Sequence, residues 1–140
     1  MLYFAYGSNL NYEQMKKRCP SATFIKKTYI EGYKFVYDGH SSSRGGSVAN
    51  IIESKGSVVC GGLFEINEDN LAALDCYEGY PKSYDRKEFP VKDDKGQIDT
   101  AIIYFRVEKT LALPSEAYRN IVIQGAKNCG LSEDYIKNNL

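Results

Sequence analysis

Two short stretches carry residue types that could do chemistry together. The first is Asn70-Leu71-Ala72-Ala73-Leu74-Asp75-Cys76-Tyr77-Glu78-Gly79. Leu71, Leu74 and Glu78 stand at i, i+3 and i+7, which is one stripe of a helix. The stripe is apolar until its last member, so Glu78 follows the leucines toward the interior. It also falls in the last helical turn, where the negative end of the helix dipole disfavours an anion by about 0.3–1 kcal/mol. Burial and the dipole both raise a carboxyl pKa. A carboxyl tuned toward neutrality suits a general acid–base group. The competing reading is a glutamate that frays outward into water at a helix end.

The second stretch is Tyr6-Gly7-Ser8-Asn9, the end of Met1-Leu2-Tyr3-Phe4-Ala5-Tyr6-Gly7-Ser8-Asn9-Leu10. An apolar, aromatic strand stops, glycine permits a tight turn, and a helix begins within a few residues. Such a junction presents free backbone N–H groups that suit a carboxylate, a phosphate or a developing oxyanion. Plain capping of the helix start by Ser8, Asn9 or Asn11 explains the same residues. Neither a GxxxxGK[ST] loop nor a GxGxxG fingerprint is present, so no nucleotide cofactor is expected.

Other chemistries have little to work with. His40 is the only histidine. A Ser-His-Asp or Cys-His mechanism would have to use it, and Asp38-Gly39-His40-Ser41-Ser42-Ser43-Arg44-Gly45-Gly46 reads as a mobile loop. Cys19, Cys60, Cys76 and Cys129 form no CxxC pair. They read as reduced thiols of a cytoplasmic protein, with no metal site expected.

These groups need elements to hold them. Residues 1–6 form a strand. Asn11 starts a short helix, with Gln14 completing a weak capping box, and it stops near Cys19-Pro20. Residues 22–37 make one long or two shorter strands, interrupted at Gly32. Ser47–Ile52 and Val58–Ile66 are strands separated by a turn at Lys55-Gly56. Gly61-Gly62 inside the latter points to a bulge, a barrel corner or close approach of another group. Asn67 caps a helix to about Glu78, stopped by Gly79. Tyr84–Val91 and Ile98–Val107 are strands joined at Asp93-Asp94-Lys95-Gly96. Ser115 caps a helix whose apolar face is Tyr118, Ile121, Val122, Gly125, Ala126 and Cys129, and a last short helix follows Ser132. The result is an α+β chain of about six strands and three or four helices. Short strands with glycine corners favour a small mixed β-barrel or a strongly curved sheet.

The 140 residues suit one domain spanning 1–140. Lysine plus arginine and aspartate plus glutamate balance at 18 each, so no global field draws the chain to nucleic acid or an anionic membrane. No segment reaches the roughly 20 apolar residues that span a bilayer, and no signal peptide is expected.

In order and spacing these pieces resemble the gamma-glutamylcyclotransferase family, within the AIG2-like superfamily. YFAYGSNL at 3–10 is similar to the family's N-terminal signature, Pro20-Ser21-Ala22 follows it, and Gly45-Gly46 with Ala49 fits the next strand pattern. NLAALDCYEG at 70–79 resembles its LDxxEG block, and LPSEAYRNIVIQGAKNCGL at 113–131 is similar to its C-terminal helix. The resemblance implies a small mixed β-barrel with flanking helices and a pocket at one mouth. It implies cyclisation of a gamma-glutamyl amino acid or amine to 5-oxoproline, as in glutathione metabolism, without metal or cofactor. Glu78 takes the acid–base position, Tyr6, Gly7, Ser8 and Asn9 form the anion-holding loop, and Tyr84, Tyr118 and the strand residue Tyr104 match the family's tyrosines. Tyr84 and Tyr118 then donate hydrogen bonds into the pocket, or else only pack in the core. Tyr84 falls one residue nearer the glutamate than in the animal enzymes, in a loop more like bacterial and plant relatives. A gamma-glutamylamine cyclotransferase, or a non-catalytic small-anion-binding module on the same scaffold, remain as alternatives. The expected assembly is a monomer or homodimer.

Overall fold

The computed structural model describes residues 1–107 and 110–140. Five strands close into a barrel: β1 (Leu2–Ala5), β2 (Thr23–Ser41), β3 (Gly46–Glu65), β4 (Tyr84–Lys92) and β5 (Ile98–Arg106), ordered β1-β3-β2-β4-β5. β1 is antiparallel to β3, with Ala5 opposite Gly62, and parallel to β5, with Tyr3 opposite Ile102. That one parallel pairing closes the ring and makes the barrel mixed. Four helices flank it: α1 (Tyr12–Arg18), α2 (Glu68–Glu78), α3 (Glu116–Asn128) and α4 (Glu133–Asn139).

The strand count differs from the expectation at one place. Residues 47–66 are not two strands with a turn at Lys55-Gly56 but one strand, β3, of 20 residues. Pairing with β2 runs Glu31 to Val58 on one side and Tyr33 to Glu53 on the other, with Gly32 (φ 84°) and Gly56 (φ 86°) at the irregularity between. Glycine punctuation here makes a bulge that bends the ribbon without reversing it, and long-range pairing resumes beyond it. The stretch from Asp38 to Gly46 also differs from a loop. β2 continues through Ser41, and the turn is confined to Ser42–Gly45. Asp38 in it is fully buried.

The interior is filled by Phe4, Leu10, Ile30, Val59, Leu63, Leu74, Ile103 and Val122. Each such side chain contributes about 1.5–3 kcal/mol on leaving water. Gly61 and Gly62 answer to close approach. A Cβ on Gly61 would collide with the Ala5 carbonyl oxygen, and one on Gly62 would lie 2.9 Å from Cys129 Sγ. α3 uses the same device, because a Cβ on Gly125 would strike the backbone of Leu10 and Asn11. The helix therefore packs directly on the chain that leaves β1, and holds the Tyr6–Asn9 segment at the barrel mouth.

Candidate active site

β1 ends at Ala5, and Ser8–Leu10 forms a single 3-10 turn. Leu10 N donates to Gly7 O at 3.1 Å and Asn11 N to Ser8 O at 3.0 Å. Among the described residues, the N–H groups of Gly7, Ser8 and Asn9 have no backbone acceptor. Asn11 then caps α1 by accepting from Gln14 N at 3.1 Å. The Gln14 side chain does not return to Asn11 as a capping box would have it. Its Nε2 donates to Ser8 Oγ at 2.8 Å and Asn9 Oδ1 at 2.9 Å.

α2 begins with a full capping box between Asn67 and Asn70 and ends on Gly79 in the left-handed conformation, φ 67°. Fully buried Leu74 anchors its inner stripe. Glu78, one turn later, follows it inward as its spacing predicts, leaving its side chain 17% exposed. Burial pushes its carboxyl up to about 7 from 4.5, while Arg18 and Arg44 pull it back down. Arg18 Nη1 lies 3.9 Å from Glu78 Oε1. The glutamate is thus desolvated enough to resist ionisation and close enough to cations to permit it, which is the balance acid–base work at neutral pH needs.

The two stretches meet. A cavity of about 300 Å³ at the barrel mouth is lined by Glu78 and by Tyr6, Gly7, Ser8 and Asn9 together. Asn9 is buried, and its Nδ2 donates to Tyr3 Oη at 2.9 Å and toward Glu78 Oε1 at 3.4 Å. Its Oδ1 accepts from Gln14 and, at 3.2 Å, from Arg18 Nη1. The amide is therefore locked with its donor end toward the carboxylate.

Tyr84, Tyr104 and Tyr118 all line the cavity, and all bond to the protein. Tyr84 Oη donates to Ala49 O at 2.6 Å, and Tyr118 Oη accepts from Ala49 N at 3.0 Å. One residue of β3 is thus held at both its N–H and its C=O. Tyr104 Oη donates to Asp75 Oδ1 at 2.6 Å, and Tyr6 Oη donates to Tyr104 O at 2.6 Å. Tyr84 commits its proton to the barrel wall, so it shapes the pocket and has none left for a ligand in this arrangement.

Sequence reasoning missed the basic residues. Arg18, Arg44 and Arg106 line the cavity, as does His40. Arg106 Nε lies 3.2 Å from Asp38 Oδ2, which also accepts from Asn50 Nδ2 at 2.9 Å. Gln14 and Arg18 were detectable. They stand at i and i+4 on α1 and are both half-buried, so a polar stripe faces inward there. Arg44 and Arg106 carried no local signal, because strand pairing alone brings them in. Among the described residues, no group of three or more histidine, cysteine, aspartate or glutamate residues could hold a metal ion.

A closed mixed barrel thus sets a carboxyl of raised pKa and an amide-rich turn around one cavity, the arrangement of a small-molecule enzyme pocket. Similarity to known proteins agrees with that class. A profile of the AIG2-like family matches residues 58–138. The human gamma-glutamylcyclotransferase is 35% identical over 140 residues, covering 96% of this chain and 74% of its own. The mouse gamma-glutamylcyclotransferase is 34% identical over 139 residues, covering 96% and 74%. A solved gamma-glutamyl cyclotransferase structure superposes with a TM-score of 0.94 at 33% identity, covering 99% of this chain and 85% of that one. The chain belongs to the gamma-glutamylcyclotransferase family.

Proposed function

We propose that the protein is an enzyme that cyclises a small gamma-glutamyl substrate to 5-oxoproline, releasing the attached amine, with Glu78 as general acid and base. The observation that carries this reading is Glu78 itself: a carboxyl pushed up to about 7, aimed into a cavity shared with the Gly7–Asn9 turn.

The chemistry follows from these groups. The substrate α-ammonium cannot attack while protonated. Glu78 takes a proton, and the freed α-nitrogen attacks the γ-carbonyl carbon to form a five-membered ring. The step is intramolecular, so the pocket chiefly has to hold a near-attack conformer. Glu78 passes the proton to the leaving nitrogen as its bond to carbon breaks. The α-nitrogen goes from three hydrogens to one, and the leaving nitrogen goes from one to three. Two protons cross in all, and Glu78 ends in the state in which it began. The unpartnered N–H groups of Gly7, Ser8 and Asn9 hold the α-carboxylate or the developing oxyanion. Tyr6, Tyr84 and Tyr118 wall the pocket.

Among the described residues no helix is long and apolar enough to cross a membrane. The four free cysteines support a reducing, cytoplasmic setting. We take the working unit as a single domain acting as monomer or homodimer, without nucleic acid. The test is 5-oxoproline formation from gamma-glutamyl amino acids. The wild-type protein turns them over, and Glu78→Gln, folded, loses about 10²–10⁴-fold in kcat. Near-normal product release by that variant would sink the assignment.

A further inference from the structure

The last turn of α2 carries Glu78 but has little apolar hold on the barrel. Beyond fully buried Leu74, the residues Cys76, Tyr77 and Tyr80 are exposed, and Asp75, Glu78 and Gly79 are half-buried. The attachment here is polar. Tyr104 Oη donates to Asp75 Oδ1 at 2.6 Å, and Arg86 Nε lies 2.9 Å from the same oxygen. Arg86 and Tyr104 stand directly opposite each other across β4 and β5. Such partners have Cβ atoms about 4.5–5.5 Å apart, close enough for both side chains to reach one group. A single cross-strand pair therefore converges on the Asp75 carboxylate.

The same arginine also meets the chain that follows Glu78. Its guanidinium carbon lies 4.5 Å from the centre of the Tyr80 ring, and Tyr80 N donates to Asp75 O at 2.9 Å. Glu78 is thus bracketed by Asp75 on one side and Tyr80 on the other, with Arg86 against both. The field of Asp75 is not what acts on Glu78. The charged groups that shift the Glu78 carboxyl are Arg18 of α1 and Arg44 of the β2–β3 hairpin. The titratable groups coupled to it are the phenols of Tyr3, Tyr6, Tyr84 and Tyr118.

We propose that Asp75 is a positioning residue: clamped by Arg86 and Tyr104, it fixes the last turn of α2 and so keeps the Glu78 carboxyl turned into the cavity. The proposal rests on the proton-transfer role given to Glu78 above. A general base works within about 2.6–3.2 Å of the proton it takes. A small drift of the helix end breaks that geometry, and a misplacement of about 1 Å costs on the order of 10²-fold in rate. Substrate holding is separate, because the Gly7–Asn9 amides belong to the turn after β1. Loss of the clamp therefore falls on kcat and spares KM. It also lets water reach Glu78, whose carboxyl is held up by burial, so the carboxyl pKa falls.

The experiment measures kcat and KM for gamma-glutamylalanine, and kcat/KM against pH, on wild-type protein, Asp75→Ala, Arg86→Met and Arg86→Lys. Asp75→Ala and Arg86→Met each lower kcat about tenfold or more with KM within about threefold, and Arg86→Lys recovers part of the loss. In both clamp-breaking variants the acidic limb of the profile moves down, from about 7 toward 4.5. The shared direction separates position from charge. Acting through their fields, a lost anion and a lost cation would shift Glu78 in opposite senses. A smaller folded fraction would lower kcat without moving the limb. Opposed shifts or an unmoved limb overturn the proposal. Unchanged kcat in both variants overturns it too, with cyclisation by the wild-type protein left standing. Absence of 5-oxoproline with wild-type protein removes the cyclisation reading and this proposal with it.

Discussion

Asn9 Nδ2 lies 3.4 Å from Glu78 Oε1, joining residues 69 positions apart. The contact gives Asn9 a side-chain role that the turn geometry of its segment does not suggest. Its orientation is enforced, since Gln14 and Arg18 both donate to Oδ1 and leave only Nδ2 for the carboxylate. A donor aimed at a carboxylate favours the ionised form and opposes the effect of burial.

Substituting Asn9 should therefore move the pH dependence. Asn9→Ala removes the donor, and Asn9→Asp sets a second carboxylate in its place. Both raise the Glu78 pKa above about 7, and the aspartate raises it more, by on the order of one unit. In the pH profile of kcat/KM the acidic limb shifts upward in the order wild type, alanine, aspartate. A limb that stays put in both variants removes Asn9 from the acid–base machinery.

The same glutamate makes stability depend on pH. Its folded-state pKa is raised from 4.5 to about 7. Below the lower value both folded and unfolded chains hold the proton, and the neutral carboxyl is tolerated inside. As pH rises through the interval the unfolded chain ionises first, and stability falls until about pH 7, by at most about 3 kcal/mol. Glu78→Gln has no such term. Its melting temperature, measured against wild type, should rise progressively between pH 4.5 and 7.5, and a constant difference across that range would contradict the buried-carboxyl picture.

Gly7 and Ser8 separate main-chain from side-chain roles. A Cβ on Gly7 would lie 2.6 Å from Cβ of Ala49, the residue that Tyr84 and Tyr118 hold through its C=O and N–H. Gly7→Val must displace either the turn or that strand. Ser8 contributes an Oγ that accepts from Gln14, a contact worth about 0.5–1.5 kcal/mol. Activity should fall by two or more orders of magnitude for Gly7→Val and no more than about tenfold for Ser8→Ala, as set by the catalytic cost of misplacing the site. Equal losses would show that the hydroxyl matters as much as the amides.

Legibility in the sequence followed the range of the interactions. α2 was readable because its start, its stripe and its stop are local: Asn67, Leu74 and Gly79. α3 was readable from Ser115 and a run of small and apolar residues at helical spacing. Lys55-Gly56 misled because the same glycine serves a turn or a bulge, and only pairing with β2 on both sides distinguishes them. Glu78 and the Gly7–Asn9 turn stand out in the sequence because each is odd in its own neighbourhood, a charge ending an apolar stripe and a glycine ending a strand. Arg44 and Arg106 are not odd in theirs. A guanidinium in a polar hairpin or at a strand end looks like any surface cation until the barrel closes around it.

Local order along the chain is enough to show which groups are available for chemistry here: one carboxyl at the end of an inward stripe, one amide-rich turn and a single histidine, with helix punctuation strong enough to set the elements that carry them. It takes the closed barrel to bring the carboxyl and the turn into one cavity, to turn the Asn9 donor toward Glu78, and to line that cavity with Arg18, Arg44 and Arg106. Those outcomes depend on burial and on distances between residues far apart in the chain. They arise when β1 pairs with β3 and β5 and α3 closes onto the turn through Gly125.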